Sequence, residues 1–95
     1  MYLISHRGNI NGIQKSEENK PEYINKALEK GFDVEIDVRF SKGKFFLGHD
    51  YDQYEIDYNF LLNKKIWCHA KTNEALFALN EINAHKASFV FAWHQ

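Results

Sequence analysis

The chain has 95 residues, 44% of them hydrophobic and 16% aromatic, with a formal charge of −1. This is one domain at most, and its apolar content is enough to pack a core, which excludes a disordered chain. The near-zero charge excludes an electrostatic footprint for nucleic acid or an anionic membrane, the single Cys68 excludes an internal disulfide, and no apolar run approaches transmembrane length.

Tyr2 to Ser5 reads as a short strand opening into His6-Arg7-Gly8-Asn9, where glycine and asparagine favour a turn. A polar loop, "NINGIQKSEE", follows. A helix is expected from Lys20 to Lys30, with Asn19 as N-cap, Pro21 in the first turn and Glu22 three residues after the cap. Ile24, Ala27 and Leu28 share one face of it, and Gly31 ends it. From Phe32 to Arg39 the residues alternate at the strand period. Phe32, Val34, Ile36 and Val38 make one face; Asp33, Glu35, Asp37 and Arg39 make the other.

The turn Ser41-Lys42-Gly43-Lys44 sends the chain back through Phe45-Phe46-Leu47 to Gly48-His49-Asp50. With the turn centred between Lys42 and Gly43, antiparallel register sets Gly48 opposite Asp37 and His49 opposite Ile36, at a strand spacing of ~5 Å. An irregular stretch follows, with one short helix from Tyr58 to Leu62 capped by Asp57. Lys65 to Lys71 is a strand. "TNEALFALNEIN" is a helix with Leu76, Leu79 and Ile82 inward and Thr72 or Asn73 as cap, and "ASFVFAWHQ" is a final buried strand that reaches His94.

This β/α order calls for parallel strands with helices packed outside, in an α/β fold occupying 1–95 as a single domain. In a parallel barrel the apolar face of the charged strand meets helices, and Glu35 and Asp37 then point inward. Two adjacent carboxylates repel there unless a cation sits between them. The competing reading is an edge strand with a solvated charged face. As ligands, paired carboxylates suit Mg²⁺ or Ca²⁺, whereas zinc lacks a cysteine pair or His-x₃-His spacing.

The other polar groups carry the same two readings. His6 is a turn histidine or a proton exchanger, and Arg7 beside it has the planar fork that clamps anions, with Gly8 allowing close backbone approach. His49-Asp50 is polar loop, or an imidazole carried back beside the acids. His69 and Lys71 share a strand face, as a hydrogen-bonded core histidine and a lysine reaching to water, or as members of a site.

Taken together, His6-Arg7-Gly8, Glu18-Asn19 opening a helix, Glu35-x-Asp37, His49-Asp50 after a glycine-containing turn, and the strand "IWCHAK" resemble the N-terminal half of the glycerophosphodiester phosphodiesterase family. That family lies in the phospholipase C-like phosphodiesterase superfamily of TIM barrels. The resemblance implies a partial (β/α)8 TIM barrel, its first four or so strands, with a β-hairpin in place of the second helix. It implies metal-dependent hydrolysis of a small-molecule phosphodiester in lipid metabolism. His6 and His49 would be acid and base, Glu35 and Asp37 would bind the divalent cation, Mg²⁺ or Ca²⁺, and Arg7 would steady the phosphate.

The sequence departs from that pattern in three ways. The family's next strand ends in Glu-x-Lys, with the glutamate completing the metal site; here His69 stands in that place, and Lys71 keeps the phosphate-facing role. Only about twenty residues separate His49 from Lys71, where family members insert a small subdomain, so a shallower pocket is expected. A complete barrel needs roughly 200 residues or more. The missing half would come from a longer gene product or from a second copy pairing along "SFVFAW", and a non-catalytic phosphate-binding or chain-pairing module is the alternative function. The N-terminus carries no secretory signal pattern, which with the lone cysteine points to a cytoplasmic setting.

Overall fold

The computed structural model describes residues 3–86 and 90–93, with the backbone alone described from residue 83 onward. The elements are β1 (Ile4–His6), α1 (Pro21–Glu29), β2 (Asp33–Ser41), β3 (Lys44–Leu47), β4 (Tyr54–Ile56), a short 3-10 helix (Tyr58–Leu62), β5 (Ile66–Ala70), α2 (Asn73–Lys86) and β6 (Val90–Trp93). They form a small mixed α/β domain. Five strands run in the order β4-β3-β2-β5-β6, and β1 pairs with β2 beside that path.

The parallel pairings are β1 with β2, β2 with β5, and β5 with β6. The hairpin partner β3 and its neighbour β4 are antiparallel. β2 is the hub. One of its edges meets β5 from Val34 to Val38. Its other edge is divided: β1 covers Asp33 to Glu35, and β3 covers Val38 to Ser41.

Alternation along β2 does what the sequence pattern requires. Val34, Ile36 and Val38 are fully buried with Ile24 and Ala27 of α1, Ala75 and Leu79 of α2, and Ile66, Cys68 and Ala70 of β5. Each large aliphatic side chain in that layer contributes about 1.5–3 kcal/mol by leaving water. Burial also pushes the Cys68 thiol up to about 12, so it stays protonated and unreactive. The opposite face of the same strands carries Glu35, Asp37, Trp67 and His69.

Local signals held at most element ends. Lys42 and Gly43 both take positive φ, 53° and 77°, the geometry of a two-residue hairpin turn that matches strand twist. The Asp57 carboxylate accepts the Asn59 N–H at 3.0 Å, and the Thr72 hydroxyl accepts the Ala75 N–H at 3.1 Å. Asn19, however, is not the cap of α1. The N-cap is Lys20, with no side-chain cap bond, because the Asn19 side chain is committed to Asp37. β4 lies in the stretch expected to be irregular; at three residues it is too short to show a period. His94 lies outside the described residues. No described helix is long and apolar enough to cross a membrane.

Candidate functional site

The divided edge of β2 explains how distant residues meet. Arg7 N–H donates to the Glu35 carbonyl at 2.7 Å, continuing β1, and Gly48 N–H donates to the Asp37 carbonyl at 3.1 Å, continuing β3. Those two carbonyls lie on one edge, two residues or about 7 Å apart. The residues following β1 and those following β3 therefore converge, which is the Gly48–Asp37 register expected from the turn.

The two carboxylates differ in their access to water. Asp37 is 1% exposed, and Glu35 keeps 37% of its side chain accessible. His6 Nε2 lies 2.9 Å from Glu35 Oε1. Asp37 Oδ2 is 2.7 Å from Arg7 Nε and accepts Asn19 Nδ2 at 2.9 Å, while Oδ1 lies 3.6 Å from His69 Nδ1. Lys71 sits just past β5 and donates its backbone N–H to the Val38 carbonyl at 2.9 Å.

Arg7 is held from a second side. Its Nη1 donates to Glu18 Oε1 at 3.2 Å, and Glu18 Oε2 accepts Asn9 Nδ2 at 2.8 Å. Burial pushes the Glu18 carboxyl up, but the Asn9 and Arg7 hydrogen bonds and the charges of Arg7 and His6 outweigh it, so the group ionises below its usual range. Gly8 has φ 92°, and a Cβ there would stand 2.7 Å from the Tyr23 ring. The close approach that requires glycine is thus with Tyr23, whose hydroxyl donates to Asn9 Oδ1 at 3.0 Å.

His49 is presented by a tight loop. Its Nδ1 is 2.9 Å from Asp50 Oδ1, its carbonyl accepts Arg39 Nη1 at 3.1 Å, and Arg39 Nε donates to Asp52 Oδ1 at 3.2 Å. A cleft of about 390 Å³ brings His49 together with Arg7, Lys15, Glu18, Asn19 and Tyr51. His6, Glu35, Asp37, His69 and Lys71 do not line it; Asp37, and His69 behind it, adjoin it through Arg7. Sequence reasoning missed Lys15 and the Arg39–Asp52 clamp, which have no motif signal. It assigned Asn19 to the helix, although the need of a buried Asp37 for donors was a signal that could have found it.

Among the described residues no three His, Cys, Asp or Glu side chains stand together as a metal-binding group. Compared with protein-family models, curated proteins and solved structures, the chain gives no match.

Proposed function

We propose that the chain is the first half of a (β/α)8 barrel and that its rim cleaves phosphodiesters, in the manner of the glycerophosphodiester phosphodiesterases it resembles. The observation that carries this reading is a pair of imidazole–carboxylate contacts, His6–Glu35 and His49–Asp50, both 2.9 Å, delivered to one edge of β2 beside Arg7. The run of parallel strands β1-β2-β5-β6, with its buried face against both helices, supports the barrel half of it.

In this mechanism one imidazole takes the proton of the attacking hydroxyl or water and the other protonates the leaving alkoxide. The paired carboxylates hold each ring in orientation and stabilise its protonated form. Arg7 and Lys71 supply positive charge as charge builds on phosphate.

A cation fits the donor chemistry. Arg7 faces both Glu18 and Asp37, so carboxylate charge exceeds the guanidinium's, and an anionic substrate needs further positive charge there. Mg²⁺ is commonly held by one or two carboxylates with substrate oxygens and water, so a two-carboxylate set suffices without a closed protein cage. Glu35 and Asp37 would hold it, with His69 as the third candidate. Bound there, such an ion neutralises a phosphoryl oxygen and acidifies a coordinated hydroxyl.

The test is turnover of glycerophosphocholine and bis(p-nitrophenyl) phosphate with and without Mg²⁺ or Ca²⁺. The double variant His6→Ala/His49→Ala should be inactive, and Glu35→Gln/Asp37→Asn should lose its metal response. Turnover surviving the histidine pair rules the scheme out. A second reading, a chain-pairing module, rests on β6 being the last strand in the sheet order. Light scattering separates the two, since a dimer without turnover favours pairing through the C-terminal strand.

A further inference from the structure

Between β1 and β3 the edge of β2 has a gap at Asp37. The β1 ladder ends with Arg7 N–H on the Glu35 carbonyl, and the β3 side ends with Gly48 N–H on the Asp37 carbonyl. The N–H of Asp37 faces the space between them, and a parallel neighbour continuing β1 would offer it a backbone carbonyl. Asn19 fills that place. Its Oδ1 accepts the Asp37 N–H at 3.0 Å, its own N–H donates to the Arg7 carbonyl at 3.0 Å, and its Nδ2 donates to Asp37 Oδ2 at 2.9 Å. Asn19 is 1% exposed and has φ 66°, a left-handed conformation that asparagine tolerates better than most residues.

A carboxylate on one hydrogen bond swings readily, because its terminal torsion is broad and two-fold. Here the Asn19 Nδ2 donor and the charged Arg7 guanidinium, its Nε 2.7 Å away in an ion pair, lie on the same oxygen of Asp37, and the backbone beneath is held by the same asparagine. The other oxygen, Oδ1, is the one turned to His69. We propose that Asn19 is the positioning residue of the site: it substitutes for a strand in the gap and fixes the Asp37 carboxylate and Arg7 as one unit, with Oδ1 aimed at His69. Only the consequence for turnover rests on the phosphodiester reading; the lock itself does not.

Asn19→Asp keeps the shape, the left-handed tolerance and the acceptor for the Asp37 N–H, and turns the Nδ2 donor into a carboxylate oxygen that repels Asp37 Oδ2. Asn19→Gly keeps the backbone and empties the slot. The first readout is the Arg7 Nε–H resonance in a ¹H–¹⁵N spectrum, which reports the Arg7–Asp37 contact directly. The second is kcat and KM for bis(p-nitrophenyl) phosphate with Mg²⁺.

In both variants the Nε–H signal should shift and exchange faster with water, and kcat should fall about tenfold or more with KM within about threefold, as expected when a reacting geometry loosens. A folded variant with the signal unmoved and kcat within about twofold overturns the proposal. So does loss of the fold in both variants, since the role is then structural alone. Absence of turnover in the unsubstituted protein sinks the phosphodiester reading instead, and the resonance still decides the role of Asn19.

Discussion

Replacing Arg7 by glutamine isolates the electrostatics of the site. The guanidinium is 19% exposed and lies 2.7 Å from Asp37 and 3.2 Å from Glu18, whose side chains are 2% and 11% exposed. Removing it leaves two carboxylates facing one another in a nearly dry place. Breaking a buried ion pair from one side costs about 3–5 kcal/mol. Because Arg7 itself keeps some contact with water, the lower end of that range, ~3 kcal/mol, is the expected loss. It would be a large share of the roughly 5–14 kcal/mol available to a chain of this size.

The loss should depend on pH in a definite direction. Glu18 ionises below its ordinary value of 4.5 in the folded protein, so the stability it contributes is fully present above that value and is lost as pH falls through the folded one. Burial works against that depression; the Asn9 hydrogen bond, and after it the hydrogen bond and charge of Arg7, produce it. Without Arg7 the depression shrinks, so the gap between the two proteins is widest at pH 7 and narrows below about pH 4.5. Urea unfolding followed by circular dichroism at pH 7 and pH 4 measures it. A loss under ~1 kcal/mol at pH 7, or an equal gap at both pH values, refutes the reasoning.

A Cβ at position 48 would fall on the Tyr51 carbonyl oxygen, so Gly48→Ala should displace the loop carrying His49 and lower turnover, as kinetics and amide shifts of residues 48–53 would show. Leu79→Ala, at a fully buried position, should cost about 2–5 kcal/mol in urea unfolding. Thr72→Ala removes the bond to the Ala75 N–H and should cost ~1 kcal/mol by the same measurement. Cys68, with its thiol pushed up to about 12 by burial, should resist iodoacetamide at pH 8 in the folded protein and react at once in urea.

What could be read from the sequence was whatever short-range chemistry dictates. The two-residue turn set the hairpin register, which placed Gly48 against Asp37 correctly; the apolar alternation of β2 assigned its buried face, and Asp57 and Thr72 announced the starts of their helices. The misses are long-range. Asn19 carries every mark of a cap, yet a fully buried carboxylate eighteen residues away competes for the same amide and wins. Arg7 reads as a phosphate clamp, but its partners Glu18 and Asp37 are known only once β1 and β2 lie side by side. The residue types of the site were visible in the sequence; which imidazole meets which carboxylate was a product of the sheet.

The division of one edge of β2 between two strands makes the assembly of this rim asymmetric in time. The β2–β3 hairpin closes through a two-residue turn and can zip locally within microseconds. β1 and β5 pair with residues about thirty positions away, and must first meet the entropy of closing those longer loops. The contact of the His49 carbonyl with Arg39 lies within that hairpin, whereas the meeting of His49 with Arg7, and of His69 with Asp37, waits on the longer closures. Stiffening the hairpin should quicken folding, and weakening it should delay the arrival of everything else.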